Sequence, residues 1–218
     1  MEWDWNVVAS VTPSLLKGLI VTVQATIVGA VLAYVLGLVI AILKMSGNKA
    51  VAFITYWSSE FIRRTPLLVQ LYFLFYVLPD FGIFLSPFVA GVIGLGLHFS
   101  TYTSEVYRAG IENVPKGQWE AAQSLALNFG EQLRYIIFPQ ASRIAIAPTV
   151  GFLVQVVKGT ALASVIGFVE LTKAGTMITN ATFKPFVVYS CVAVLYFLIC
   201  YPISLYARSL EGKFHVQR

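Results

Sequence analysis

From Gly18 to Leu43 the chain carries no charged side chain. A helix rises about 1.5 Å per residue, so one of that length exceeds the ~30 Å hydrocarbon core of a bilayer and spans it with some tilt. This run constrains the fold more than any other feature, because a segment in lipid must satisfy its backbone polar groups internally. Within it Gly29, Ala33 and Gly37 recur at four-residue spacing, a small-residue face that lets a second helix approach closely and reads as packing. The rest of the chain matches. Hydrophobic residues make up 58% of the 218, charged residues 11%, and mean hydropathy is +0.78, outside the range of soluble domains. The expectation is an all-α integral membrane protein with about five transmembrane helices in one domain over 1–218, with little chain left for a soluble domain.

Residues 1–14, with Trp3, Trp5, Glu2 and Asp4, lack the basic start and cleavage site of a secretory signal and read as an interfacial amphipathic lead-in. After a basic turn from Lys44 to Lys49, a second helix starts at Val51. Its first part is amphipathic, with Trp57, Glu60, Arg63 and Arg64 at interfacial depth, and it leads past Thr65 and Pro66 into an aromatic run ending near Pro79. Pro66 frees the carbonyl one turn back, so a kink is expected there, with Thr65 or a neighbouring helix re-satisfying that group. Phe88 to Thr103 is the third expected span, Ile144 to Val157 the fourth and Phe186 to Ala207 the fifth. His98 lies in the third without a second histidine nearby to make a metal site; it reads as a packing residue, with pore exposure left open. Lys158 and Gly159 sit between two apolar segments, where a helix break at membrane depth is expected beside a cavity or packed protein. Glu170 and Lys173 read as a solvated pair. Cys191 and Cys200 fall on opposite faces of the last span and read as core thiols.

With five crossings and the N-terminus outside, the inner segments hold Lys44, Lys49, Arg108, Lys116, Arg134, Arg143, Arg208, Lys213 and Arg218, against Lys17, Lys173 and Lys184 outside. That distribution supports N-out, C-in. The net charge of +5 therefore points to anionic lipid headgroups and not to nucleic acid.

The stretch from Pro115 to Pro139 interrupts this apolar pattern and falls on the inner side. Gly117 to Leu127 reads as a short helix with Ala121, Ala122, Leu125 and Ala126 as a small-residue face, Trp119 beside it, and Glu120 near the helix N-terminus, where a carboxylate suits the dipole. Asn128, Phe129 and Gly130 break it. A second amphipathic turn puts Leu133, Ile136 and Ile137 on one stripe and stops at Pro139.

The spacing of Glu120-Ala121-Ala122, Ile136 and Pro139 resembles the E-A-A loop of ABC-importer permeases, with Ala126 in place of the usual glycine and Phe138 in place of the usual leucine. Phe61 to Gln70 resembles the F-R-x-T-P-L-L-x-Q signature of permeases for polar amino acids, with Ile62 inserted. Val157 to Ile166 resembles that family's K-D-T-S-L motif: Lys158, Thr160 and Leu162 match, while Gly159 and Ala161 replace two polar groups. The resemblance, to the histidine, glutamine and arginine type, implies a type I importer permease in the bacterial cytoplasmic (inner) membrane. It further implies an identical or sibling permease subunit, two ATPase subunits, an extracytoplasmic solute-binding protein and an amino-acid-like substrate. The loop from about 107 to 142 would be cytoplasmic, with Gly117, Glu120, Ala121, Ala122 and Ala126 contacting the ATPase. His98, Gln155, Lys158 and Thr160 would line the substrate path, and Thr65 and Pro66 would form a kink or gate.

The chain contains no G-x-x-x-x-G-K-[ST], so ATP hydrolysis is expected in a separate subunit, and no cofactor is expected in this one. The alternative is an ion-coupled secondary transporter of small solutes; against it, neither an inverted repeat of broken spans nor a buried carboxylate pair is legible. Glu105, Glu112 and Glu120 lie without His or Cys partners, so a membrane enzyme is poorly supported.

Overall fold

A computed structural model describes residues 3–215, and side chains as far as residue 213; Glu2 and Arg218 lie outside the described residues. Regular structure among the described residues is helical throughout.

Helix α1 runs from Trp5 to Lys44 in one piece, so the expected lead-in is its first turns and not a separate surface element. Asp4 starts it as N-cap, accepting from the amides of Asn6 and Val7, and Pro13 is carried inside the helix. Helix α2 (Lys49–Arg64) and α3 (Leu67–Tyr72) meet at Thr65-Pro66. The α2 axis and the segment Leu67–Phe81 are bent by 101°, so the expected kink is a full corner. Thr65 and Pro66 both take extended backbone there, which ends one helix and starts another. The aromatic run continues as a π-helical turn, Phe73–Val77, and a 3-10 turn, Leu78–Phe81, closed by Gly82 in the left-handed region.

Helix α4 (Pro87–Glu112) extends beyond the expected Thr103. Helices α5 (Lys116–Ser124) and α6 (Phe129–Glu131) form the loop, and a π-helical turn, Gln132–Ile137, leads into α7 (Phe138–Thr160). Pro139 does not stop the second amphipathic turn. It sits in the first turn of α7, where its missing N–H costs no helical bond, and the wider π turn joins the two pieces. The helix also continues past Lys158 and Gly159, tightens to 3-10 over Ala161–Ile166, and breaks at Gly167 with φ +81°. Helices α8 (Leu171–Thr182) and α9 (Pro185–His215) complete the chain.

Directions follow from the contacts. Along α1, Gly29 faces Leu95, Ala33 accepts from Thr103, and Lys44 pairs with Glu105, so α1 and α4 run parallel. Gly110 of α4 faces Ala141 while Gly91 faces Ala163, so α7 is antiparallel to both. Gly18 abuts Ala174, Gly175 abuts Val192, and Lys184 pairs with Asp4, so α8 returns to the start of α1 and α9 runs beside α1. The Lys184 hydrogen bond holds the Asp4 carboxyl below the usual carboxylate range. The chain thus makes five alternating traverses of the bundle, the second through α3 and its π and 3-10 extensions. By length and composition three helical stretches suit a membrane span, Trp5–Lys44, Phe129–Ile166 and Pro185–Lys213, with the bent α2–α3 pair as a fourth. Helix α4, which carries His98 together with the buried Ser100, Thr101, Thr103 and Ser104, is not among these stretches, and it packs against both α1 and α7.

The small-residue face of α1 does what its spacing implies. A Cβ on Gly37 would collide with Thr103 Oγ1 and stand 3.1 Å from the Ser100 carbonyl oxygen. Thr103 Oγ1 itself donates to Ala33 O at 3.0 Å, so it cannot move aside without losing a buried bond. Gly37→Ala is expected to cost about 2 kcal/mol through overpacking, whereas Gly47→Ala, with nothing within 4 Å, leaves the thermal unfolding midpoint of the detergent-purified protein unchanged.

Candidate functional site

Two regions collect the residues singled out in the sequence. The first is an open cavity of about 900 Å³ lined by α2, α3, α4 and α7. The α2–α3 corner contributes Arg63, Arg64, Thr65 and Pro66, α4 contributes His98, Phe99 and Tyr102, and α7 contributes Phe152, Gln155, Lys158 and Gly159. His98, Gln155, Lys158, Thr65 and Pro66, three segments apart in sequence, therefore meet at one space. Thr160 does not join them. It is fully buried, its hydroxyl donating back to Val157 O at 2.7 Å. Gly159 presents backbone only, for a packing reason: a Cβ there would lie 2.8 Å from Leu95 Cδ2 and 3.0 Å from Phe99 Cε2.

The corner is held by groups that the proline argument alone did not single out. Gln70 Nε2 donates to Ile62 O at 2.7 Å, to Thr65 O at 3.1 Å and to Thr65 Oγ1 at 2.8 Å. Thr65 Oγ1 also donates to Ile62 O, at 3.0 Å, so the carbonyl that Pro66 leaves open is met by Thr65, as expected, and by Gln70 as well. The Tyr102 hydroxyl donates to Arg63 O at 3.2 Å, fixing the corner to α4. Glu60, 3% exposed, forms close ion pairs with Arg63 and with Arg64, the latter at 2.8 Å; the i,i+4 spacing of Glu60 and Arg64 was a readable signal for this. His98 packs edge-on against Phe99 with centroids 5.2 Å apart, and its buried Nδ1 has no partner. Among the described residues no cluster of three His, Cys, Asp or Glu is placed to hold a metal, and Cys191 and Cys200 are both free thiols.

The second region is the loop at the end of the bundle that also holds Lys44. Helix α5 spans Lys116–Ser124, shorter than the expected Gly117 to Leu127. Glu120 falls in its second turn, beyond the reach of the N-terminal dipole, and is exposed. Gly117 and Ala121 are exposed beside it. Ala122 is not. At 0% exposure it is covered by its own chain, so its small size serves intrachain packing, while Trp119 on the same helix packs against Ile111, Val114 and Ile137. Trp119 stacks on Phe129 with centroids 6.3 Å apart, and Gln140 donates to Gln118 at 3.2 Å, tying α5 to α7.

Ala126 lies outside the helix with φ +55°. Its amide bonds to Gln123 O at 2.9 Å, and the Leu127 amide bonds to Ala122 O at 3.3 Å, which is a Schellman ending with Ala126 in the left-handed position that glycine favours. The glycine common at this place in the resembling loops is thus explained by conformation. Ala126→Gly is expected to stabilise the folded chain by about 1 kcal/mol, read as a raised unfolding midpoint. Asn128 and Glu131 then form a reciprocal cap, at 2.8 and 3.1 Å, that restarts the helix. An ion-pair chain underlies the loop: Lys44, 4% exposed, meets Glu105 at 2.7 Å, Glu105 meets Arg108 at 2.8 Å, and Arg108 meets Glu112 at 2.6 Å.

Comparison with known proteins agrees with this arrangement. Residues 33–216 match the family described as binding-protein-dependent transport system inner membrane component. A probable amino-acid ABC transporter permease protein from Sinorhizobium fredii is 40% identical over 202 residues, covering 93% of this chain and 87% of that one. The L-cystine transport system permease of Bacillus subtilis is 35% identical over 214 residues, covering 98% and 91%. Among solved structures, one chain of an amino acid ABC transporter crystallised with histidines superposes with a TM-score of 0.90 at 35% identity, covering 98% of this chain and 100% of that one. A methionine ABC transporter in an inward-facing conformation, at 17% identity and TM-score 0.79, shares the fold. With its helical bundle, open cavity and end loop, the chain belongs to the family of multi-pass inner-membrane permease components of binding-protein-dependent transport systems.

Proposed function

We propose that this chain is the permease subunit of an ATP-driven importer for polar amino acids or related zwitterions, with its N-terminus outside and its C-terminus in the cytoplasm. The observation that carries the reading is the division of the molecule into a largely apolar cavity with basic residues at its rim, among α2, α3, α4 and α7, and a docked helix, α5, with an exposed outer face at the Lys44 end of the bundle. The excess of basic residues in the segments at that end supports a cytoplasmic placement. Two separate ATPase subunits bind ATP and receive the outer face of α5, through Gly117, Glu120 and Ala121, together with Ala126 just beyond its end. A second permease, identical or sibling, completes the path, and an extracytoplasmic binding protein delivers substrate. Closure of the ATPase pair moves α5. Its ties to α7 through Gln118 and to α6 through Trp119 pass the motion to the traverse carrying Gln155 and Lys158, so that the cavity opens alternately to either side. The relatives described as permeases for amino acids and for L-cystine favour this substrate class. Thr65 and Pro66, at the corner, act as the hinge.

The test is uptake of a radiolabelled amino-acid mixture by cells expressing the full system. ATP depletion with the membrane potential maintained is expected to abolish uptake, and an ionophore with ATP maintained is expected to leave it. The opposite pattern establishes an ion-coupled secondary transporter instead.

A further inference from the structure

The cavity is unbalanced in charge. Arg63, Arg64 and Lys158 line it and no carboxylate does. Glu60 stands behind the corner at 3% exposure, engaged by both arginines, and Arg63 has a second carboxylate, Glu105, at 3.9 Å. Arg64 gives only its Nε to Glu60, at 2.8 Å. Its side chain is 78% exposed, which leaves the two terminal nitrogens free for another acceptor. Lys158 is exposed and makes neither a hydrogen bond nor an ion pair among the described residues. Two cationic heads thus face the same space: a planar fork whose terminal nitrogens are unused although its Nε meets Glu60, and a point charge, Lys158, with no carboxylate partner among the described residues.

Resting on the importer reading, we infer that the cavity of this subunit selects amino acids carrying a second carboxylate and rejects those whose side chain is cationic and carries none. A carboxylate matches the two free guanidinium nitrogens of Arg64 in bidentate geometry, and a second one is met by Lys158. A lysine or arginine side chain would instead bring a further positive charge beside Arg64 and Lys158, where like charges at close range repel. Gln155, one turn before Lys158 and in the same lining, supplies an amide that suits either a carboxylate or an ammonium and so does not set the preference.

The experiment is equilibrium dialysis on the detergent-solubilised assembly that purifies with the full chain, using L-glutamate, its isostere L-glutamine, L-lysine and meso-diaminopimelate. Glutamate is expected to bind at least tenfold tighter than glutamine, and lysine not measurably. Diaminopimelate, with two carboxylates and two ammonium groups, separates the requirement for two carboxylates from a requirement for net negative charge. Binding within threefold of glutamate supports the first; binding as weak as glutamine overturns the carboxylate count. In Lys158→Gln and Arg64→Gln the preference for glutamate over glutamine is expected to fall below twofold, with the same subunits still co-purifying. An unchanged preference in both variants, lysine binding as tight as glutamate, or no binding of any of the four overturns the inference and leaves the importer reading standing if an ATPase is present in the assembly. Absence of an ATPase from the wild-type assembly defeats the importer reading itself.

Discussion

Replacing Glu120 by lysine is expected to separate the permease from its ATPase and to abolish uptake while leaving the permease folded. Helix α5 presents two faces with different jobs. Ala122 and Trp119 point inward, the former at 0% exposure, and hold the helix to the ends of α4 and α7. Gly117, Glu120 and Ala121 point away from the bundle, and Glu120 has no ion-pair partner among the described residues. A carboxylate left free on an otherwise small-residue face is suited to a cationic contact on another chain, and reversing its sign at an interface both removes an attraction and adds a repulsion. Co-purification of the ATPase in mild detergent is expected to weaken at least a hundredfold, about 2.7 kcal/mol, with an unfolding midpoint equal to that of the wild type. Ala122→Leu gives the contrasting result. It disturbs the intrachain seat of α5, so the unfolding midpoint falls along with the ATPase. Retention of the ATPase by Glu120→Lys would mean that the exposed face of α5 is not the contact.

Much of this arrangement was legible in the residues because it depends on local rules. The uncharged Gly18–Leu43 run, the small-residue spacing of Gly29, Ala33 and Gly37, and the loop between the third and fourth traverses each reflect a periodicity or a composition. What escaped was decided by partners distant in sequence. Pro66 read as a kink with Thr65 meeting the opened carbonyl, and Thr65 does so, but the 101° corner also has Gln70 and Tyr102 bonding carbonyls there. Gly159 read as a helix breaker, yet it is a contact point for Leu95 and Phe99, and the break falls at Gly167, where positive φ requires it. Ala122 belonged to a small face that looked uniform in sequence; the inward and outward sides of a helix this short are assigned by what it docks against. Pro139, read as a stop, is tolerated because a proline in a first helical turn forfeits no bond.

Glu170 is the sharpest case, and its removal is expected to cost about 3 kcal/mol. Its spacing from Lys173 suggested a solvated pair. Instead the side chain is fully buried and caps α8, accepting from the Thr172 amide at 2.8 Å, the Lys173 amide at 2.7 Å and the Tyr196 hydroxyl at 2.8 Å. Two helix-terminal amides and a hydroxyl on α9 thus converge on one carboxylate. Immediately beside it the Leu171 amide donates to Thr22 on α1 at 3.1 Å. The cluster joins α1, α8 and α9 where the fourth traverse resumes after Gly167. Glu170→Ala leaves both amides without acceptors in a dry site, so a large fall in unfolding midpoint and in yield of monodisperse protein is expected. Glu170→Gln keeps one carbonyl acceptor and loses less, about 1 kcal/mol. Lys173→Ala discriminates between the two readings. A solvated ion pair predicts equal, small effects from either partner, whereas a buried cap predicts a large effect from Glu170 and almost none from Lys173, whose backbone amide is unaffected by the substitution. Equal effects would return Glu170 to the surface and remove the link that holds α9 against the start of α8.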